Sequence, residues 1–267
     1  MPLLSVKDLR VAYTQEGEPV RAVDGVSFEL ERGEVLALVG ESGSGKSSVA
    51  LALTRLLPIP PATVSGLVRF DGADLLSMPL EPLRAIRGGK IAYVFQEPAT
   101  SLNPVLTIGE QVEETIQLHT GARGVGATQA AVEWLTRVGI ASAEERLHSY
   151  PHEFSGGMQQ RVMLAMAMAA RPALLIADEP TTALDVTIQV QILRLLRDLQ
   201  RTLNLSMLLI SHDLTVVERI AHRVAVMSEG AIVELGPVAQ VLKQPAHPYT
   251  QALLRARAAM TLRSARP

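Results

Sequence analysis

Gly40-Glu41-Ser42-Gly43-Ser44-Gly45-Lys46-Ser47 is the stretch that decides the fold of this 267-residue chain. It follows a short, wholly apolar run, Val35–Val39, and opens a segment that predicts a helix over Ser47–Leu57, ended by Pro58. Its spacing matches the phosphate-binding loop G-x-x-x-x-G-K-[ST], whose glycines let backbone N–H groups turn toward a phosphate while the helix N-terminus adds positive potential. A glycine-rich surface turn is the structural alternative, and the strand–loop–helix context favours the phosphate loop.

Each polar side chain of this loop has a candidate role. Lys46 is a mobile charge that can reach the outer phosphates, Ser47 offers a hydroxyl to Mg²⁺, and Ser48 can contact a phosphate oxygen. The predicted nucleotide-binding residues of the loop are Gly40, Ser42, Gly43, Ser44, Gly45, Lys46, Ser47 and Ser48.

Composition excludes several classes of protein. Hydrophobic residues make up 48% and charged residues 19%, which is too apolar for a disordered chain. The net charge of −2 excludes strong nonspecific nucleic-acid binding driven by bulk charge, and the absence of cysteine excludes disulfide scaffolds and thiolate metal sites.

The most apolar region, Val162–Ala177, is interrupted by Arg171 and Pro172 and falls short of the roughly 18 apolar residues of a spanning helix. No secretory signal is visible at the N-terminus. We therefore expect any membrane association to use a partner or a surface contact.

Short apolar runs alternate with helical patterns along most of the chain. The early segments Leu3–Tyr13 and Val20–Leu30 predict β-structure. Further apolar strands are predicted at Ile91–Phe95, Leu174–Ala177, Met207–Ile210 and Val224–Met227, with helices at Val186–Leu203 and Leu214–Ala221. Strands that alternate with helices indicate an α/β fold with a mostly parallel sheet covered on both faces.

The middle and the end of the chain differ from this pattern. Residues 98–155 predict a helical insertion, with helices at Ile108–His119 and Thr128–Val138. Two short helices around the Pro245–Pro248 turn are expected near the end, with fraying after Arg255. The expected divisions are an α/β core with an N-terminal β subdomain at 1–97, the helical subdomain at 98–155, the continuation of the core at 156–236, and a C-terminal helical extension at 237–267.

Two adjacent carboxylates follow the apolar run Leu174–Ala177. Because ligands of parallel sheets bind beyond the carboxyl ends of strands, Asp178 can face the Mg²⁺ held by Ser47, and Glu179 can polarise a water for attack on a γ-phosphate. The structural alternative is a pair of solvated acids that cap the turn at Pro180.

Polar residues follow two further predicted strands. Gln96 comes at the end of Ile91–Phe95, where an amide can ligate Mg²⁺ or hold a water, or can simply begin a loop. His212 follows Met207–Ile210 and can bond the γ-phosphate or position the attacking water; the alternative is a helix-capping cluster with Asp213.

A second glycine pair precedes the apolar helix Val162–Ala170. Ser155 is a candidate N-cap, and Gly156 and Gly157 expose N–H groups at a helix start. The segment therefore predicts either a second anion site or a well-capped helix.

Taken in order, these elements resemble the nucleotide-binding subunit of ATP-binding cassette (ABC) transporters over nearly the full chain. The ordered set is Gly40–Ser47, Gln96, Ser155–Gln159, Asp178-Glu179, Asp185 and His212. The resemblance implies a P-loop NTPase core with an N-terminal antiparallel β subdomain and an inserted helical subdomain. It implies two such domains, head to tail, that sandwich two ATP molecules.

The resemblance also implies roles for individual residues. Ser155, Gly156, Gly157 and Gln159 of one domain would close on the γ-phosphate bound by the other. Tyr13 matches the aromatic residue that stacks on adenine, although by sequence alone it is a half-buried strand residue, and Ala183-Leu184-Asp185 matches the loop that crosses the dimer interface. The helical insertion would carry the coupling surface for membrane subunits near Gln96. Phe154 and Met158 depart from the usual signature without removing a phosphate contact.

Three segments look like the peptide and nickel importer branch of the family: Gln96–Pro104, Pro180–Thr187 and His247–Leu254. This implies a peripheral subunit at the cytoplasmic face of the inner membrane. Its implied partners are a second cassette, identical or a sister chain, two transmembrane permease subunits and an extracytoplasmic solute-binding protein, with no nucleic acid. The alternatives are a soluble ABC ATPase acting in nucleic-acid repair or translation, and a nucleotide-gated interaction module that barely hydrolyses ATP.

Overall fold

The computed structural model describes residues 1–15, 18–182 and 184–264. The strands are β1 (Leu4–Gln15), β2 (Glu18–Leu30), β3 (Val35–Val39), β4 (Ala62–Phe70), β5 (Ala73–Asp74), β6 (Ile91–Val94), β7 (Leu174–Asp178), β8 (Ser206–Ser211), β9 (Arg223–Ser228) and β10 (Ala231–Pro237). The helices are α1 (Lys46–Leu53), α2 (Leu80–Ile86), α3 (Pro98–Ser101), α4 (Ile108–Thr120), α5 (Val125–Arg137), α6 (Ala143–Arg146), α7 (Gly156–Ala169), α8 (Val186–Leu203), α9 (Leu214–Ile220), α10 (Val238–Lys243) and α11 (Pro248–Ser264).

The chain divides into two compact units. The first is formed by Met1–Met78 together with the chain from Leu208 onward, and the second by Pro79–Met207. Within the described residues no helix is long and apolar enough to cross a membrane.

An antiparallel sheet of four strands, in the order β2-β1-β4-β5, belongs to the first unit. Tyr13 of β1 lies between Val20 of β2 and Ala62 of β4. Along β1 the side chains of Val6, Leu9 and Val11 are buried, so one face of the strand meets the core. The predicted N-terminal antiparallel β subdomain is confirmed.

Strand β3, which precedes the phosphate loop, is hydrogen-bonded between β9 and β8, and β10 lies on the other side of β9. Strands β3 and β9 pair in parallel, and β10 adds an antiparallel edge. All five residues of β3 are buried, which explains its wholly apolar sequence. Helices α9 and α10 supply Val217 and Val241 to the core beside Val39 of β3.

The second unit contains a parallel pair of strands and a set of helices. Strands β6 and β7 pair in parallel, with Val94 opposite Ala177. The insertion contains α4 and α5, as predicted, although α5 begins at Val125 rather than Thr128. Thr107 caps α4, because its side chain accepts from the backbone N–H of Glu110 in a capping box. The α/β P-loop NTPase fold class is confirmed by these parallel pairs, the antiparallel sheet and the helical insertion.

Several predicted boundaries are wrong. Helix α1 ends at Leu53 rather than Leu57, because Thr54 leaves the helical conformation and Arg55 takes a φ of +55°. Helix α11 continues to Ser264 instead of fraying after Arg255, since its alanine, arginine and leucine residues are strong helix formers. Strands β4 and β10 were not predicted.

Candidate nucleotide site

The phosphate loop of the first unit joins β3 to α1. Gly45 forms the N-cap of α1 with a φ of +99°, in the left-handed region. A Cβ atom on Gly45 would lie 2.2 Å from the carbonyl oxygen of Ala22. Only glycine therefore fits at this turn, and the loop can lead directly into the helix.

Lys46 is held by the loop itself. Its Nζ donates to the carbonyl oxygens of Gly40, at 2.9 Å, and Glu41, at 2.7 Å, and to Oγ of Ser44 at 3.3 Å. Only 6% of the residue is exposed. The ammonium group is therefore fixed beside the N-terminus of α1, and the positive charge is preorganised for an anion.

Tyr13 and Ser48, both predicted nucleotide contacts, lie together in the first unit. The two hydroxyl oxygens are 3.1 Å apart. Tyr13 is half-buried on β1, as its sequence pattern predicted, and its role toward adenine stays a prediction. Ser42 and Gly43 of the loop and Ser47 in the first turn of α1 are exposed.

Asp178 ends β7 in the second unit, and only 6% of it is exposed. The hydroxyl of Tyr93 donates to Oδ2 of Asp178 at 2.9 Å. Burial, and then the charge and the hydrogen bond of Asp178, hold the pKa of Tyr93 far above its ordinary value. The phenol is therefore a permanent donor to this carboxylate. Sequence reasoning missed Tyr93, because its contact with Asp178 depends on the pairing of β6 with β7, for which the sequence around Tyr93 gives no signal.

Glu179 has an unusual backbone and two side-chain partners. Its φ of +47° lies in the left-handed region, which a residue with a side chain adopts only at a cost. Its Oε2 accepts from Nε2 of Gln96 at 3.1 Å and from Oγ1 of Thr182 at 2.8 Å. The structure thus brings together Gln96 and Glu179, which were predicted separately, and adds Thr182, which was not predicted.

The Ser155 segment begins helix α7. Ser155 is its N-cap, as predicted, and accepts from the backbone N–H of Met158 at 3.4 Å. Gly156 is exposed, whereas a Cβ on Gly157 would lie 2.5 Å from Cγ2 of Ile188, so Gly157 is required for packing. The Gln159 amide donates back to the carbonyl of Pro151 at 2.8 Å.

Two further predicted residues lie at helix starts. Asp185 is the N-cap of α8 and accepts from the backbone N–H of Ile188 at 3.0 Å, while Ala183 of the same predicted loop lies outside the described residues. His212 is exposed after β8. Asp213 caps α9 with its own carboxylate, which accepts from Thr215 at 2.7 Å. The capping part of the alternative is thus present at Asp213, and the role of His212 toward a phosphate stays a prediction.

The chemistry of the donor sets fits a nucleotide. The first unit offers an ammonium group, serine hydroxyls and a helix N-terminus, which are donors suited to phosphate oxygens. The second unit offers a carboxylate and an amide, at Asp178 and Gln96, and these are the oxygen ligands that Mg²⁺ takes in proteins.

Comparison with known proteins identifies the family. A family model described as "ABC transporter" matches residues 23–182, and one described as "Oligopeptide/dipeptide transporter, C-terminal region" matches residues 233–265. The first match covers more than half of the chain.

Curated relatives are similar over almost the whole chain. The peptidoglycan transport ATP-binding protein YejF of Agrobacterium fabrum is 57% identical over 96% of this chain. The matched region covers 47% of YejF, so this chain spans about half the length of that protein. The oligopeptide transport ATP-binding protein OppD of Bacillus subtilis is 50% identical over 94% of this chain and 71% of its own length. The dipeptide transport ATP-binding protein DppD of Escherichia coli is 48% identical over 96% of this chain and 78% of its own length.

Solved structures agree with these matches. The ATP-binding cassette MJ0796, solved as a dimer in a post-hydrolysis state bound to ADP and Pi, superposes with a TM-score of 0.78 at 29% identity, over 88% of this chain and 98% of that one. The alternative of a soluble ATPase that acts on nucleic acid is not favoured by any of these relatives. The phosphate loop, the acidic strand end, the family match and the relatives lead to one conclusion: this chain belongs to the ABC transporter family, as an ATP-binding cassette of the oligopeptide/dipeptide branch.

Proposed function

We propose that this chain binds ATP with Mg²⁺ and hydrolyses it to energise the import of di- or oligopeptides or a related solute. The observation that carries the proposal is the buried Lys46, whose ammonium group is held on loop carbonyls beside the start of α1. The positive potential of a helix N-terminus and a fixed ammonium group beside it together favour the binding of an anion such as phosphate. The matching C-terminal region and the transport names of the relatives support peptides as the solute class.

Binding is assigned to the residues of the phosphate loop. Lys46, Ser48 and the backbone N–H groups at the start of α1 would contact phosphate oxygens, and Tyr13 would stack on the base. The signature residues Ser155, Gly156, Gly157 and Gln159, with Asp185, are proposed to complete the site of a second cassette. Their exposed helix start at Gly156 supports this role.

Hydrolysis is assigned to Glu179 as the general base. Two neutral donors, from Gln96 and Thr182, fix the orientation of the carboxylate, which would accept a proton from the attacking water. His212 is proposed to position that water or bond the γ-phosphate. Mg²⁺, which would be ligated by Ser47, Gln96 and Asp178, would neutralise charge on the phosphates.

The partners belong to the same proposal. Because the neighbouring solved cassettes are dimers, we infer a second cassette, either an identical copy or a sister chain. Two transmembrane permease subunits and an extracytoplasmic solute-binding protein would complete an importer, with this chain peripheral at the cytoplasmic face of the membrane. Closure on ATP and reopening after hydrolysis would drive the permease.

Replacement of Lys46 tests the proposal directly. Lys46→Ala removes three hydrogen bonds of an ammonium group, so we expect ATP affinity to fall at least about tenfold and phosphate release to be lost. Lys243→Ala, which removes an exposed lysine from α10, is the matched control and should bind ATP as the unmodified chain does. ATP affinity and turnover that survive Lys46→Ala would overturn the proposed function.

A further inference from the structure

The segment His247–Leu254 resembles the importer branch yet has no role in the assignments above. It opens helix α11 in the first unit. Tyr249, Leu253 and Leu254 pack against the buried cluster that contains Val39, the last residue of the strand before the phosphate loop. The start of α11 is therefore part of the core next to the loop.

Hydrogen bonds fix the turn that leads into α11. The carboxylate of Glu234 on β10 accepts from the backbone N–H of Ala246 at 2.9 Å and of His247 at 3.1 Å. Nδ1 of His247 accepts from the backbone N–H of Tyr249 at 3.2 Å. These contacts, together with apolar packing of the ring, define where the Tyr249 side chain points.

The Tyr249 hydroxyl reaches the phosphate loop. It accepts from the backbone N–H of Glu41 at 3.3 Å. The carbonyl oxygen of Glu41 accepts from Nζ of Lys46 at 2.7 Å, and also from the backbone N–H of Ser44 at 3.2 Å. The backbone of Glu41 thus contacts α11 on one side and holds Lys46, the lysine proposed to bind the phosphates, on the other.

We propose that Tyr249 is a positioning residue for Lys46. By accepting a hydrogen bond from the backbone N–H of Glu41, it fixes the part of the loop whose carbonyl oxygens accept from the Lys46 ammonium group. This inference rests on the proposed nucleotide site and extends it to a part of the chain outside the ATPase motifs. Because coupling between two sites is reciprocal, a bound nucleotide must in turn stabilise the docking of the first turn of α11.

Calorimetric titration with ADP tests the proposal, since ADP binding does not depend on turnover. Tyr249→Phe keeps the packed ring and removes only the hydroxyl. We expect the full-length variant to bind ADP about threefold more weakly, as for the loss of one neutral hydrogen bond. KM for ATP should rise by a similar factor while kcat stays nearly constant. Tyr150→Phe, which removes a hydroxyl from an exposed tyrosine stacked on His152, is the matched control and should bind ADP normally.

Hydrogen–deuterium exchange supplies a second readout. ADP should slow exchange of the backbone N–H groups in residues 246–254 of the unmodified chain, and this protection should shrink in Tyr249→Phe. A variant with unchanged ADP affinity and unchanged protection overturns the inference, whether or not its melting temperature falls. If the unmodified chain itself binds no ADP, the proposed function fails as well, so the two failures are distinguishable.

Discussion

The side-chain amide of Gln96 donates a 3.1 Å hydrogen bond to Oε2 of Glu179, across 83 positions of sequence. The same oxygen also accepts from Thr182. Both donors are neutral, so they orient the carboxylate without supplying the positive charge that would weaken it as a base. The arrangement explains how a residue at positive φ keeps a defined side-chain direction.

Glu179→Gln separates binding from hydrolysis. The amide oxygen of glutamine can still accept from Gln96 and Thr182, so the fold and ATP affinity should be retained. Because an amide cannot take a proton from water, phosphate release should fall by about 10²-fold or more. The measurements are phosphate release and calorimetric ATP affinity.

Glu229→Gln is the control for that variant, because Glu229 is an exposed glutamate that also has a positive φ. It should hydrolyse ATP at the unmodified rate. Undiminished phosphate release by Glu179→Gln would remove Glu179 from the role of general base.

Tyr93 should remain protonated in the folded protein well beyond the pH at which free tyrosine ionises. Burial and the charge of Asp178 raise the pKa of Tyr93, whereas a tyrosine in the unfolded chain ionises at about pH 10. The contribution of this group to stability is therefore complete below about pH 10 and is lost as the pH rises further. In Mg²⁺-free buffer, phenolate absorbance from Tyr93 should appear only together with unfolding.

Tyr93→Phe isolates that signal. The variant should lose the part of the alkaline absorbance change that coincides with unfolding, and its stability should fall less steeply above about pH 10. Tyr150→Phe should leave this late component in place. A reversible ionisation of Tyr93 near its ordinary pKa, with the fold intact, would contradict the prediction.

Gly157→Ala should destabilise the second unit, although alanine is the better helix former. Its Cβ would lie 2.5 Å from Cγ2 of Ile188, which costs about 1–3 kcal/mol of unfolding free energy as overpacking. Ile188→Ala removes that methyl group, so the double variant should lose less stability than the sum of the single changes. Urea unfolding measures all three variants.

Gly126→Ala provides the comparison within the same unit. Gly126 lies in α5 with no heavy atom within 4 Å of an added Cβ, so this change should be neutral or slightly stabilising. Additive losses for Gly157→Ala and Ile188→Ala would show that the close approach of the two residues is not the cause.

Local patterns predicted the elements that carry the chemistry. The apolar run before Gly40, the capping residue Ser155 and the strand that ends at Asp178 each occupy the predicted position, because burial and capping are short-range properties of the chain. Strand β4 was not predicted because few of its residues are buried and the buried ones do not alternate strictly along the strand. Its place in the sheet depends instead on pairing with β1.

Contacts between distant residues could not be predicted in the same way. Tyr93 looks like any strand aromatic until β6 pairs with β7, and Tyr249 looks like a helix-start residue until α11 packs on the core. Their hydroxyl partners are fixed by tertiary packing, which leaves no local mark on either sequence segment.

The carbonyl oxygen of Ala22 is the point where three separate stretches of the first unit converge. It abuts Gly45 of the phosphate loop, and a Cβ on Gly230, in the turn between β9 and β10, would lie 3.0 Å from it. Gly230 also donates its backbone N–H to the carbonyl of Ser44. Strand β2, the phosphate loop and the turn between β9 and β10 therefore meet at one backbone atom, and a side chain at Gly45 would have to displace the strand that carries Ala22.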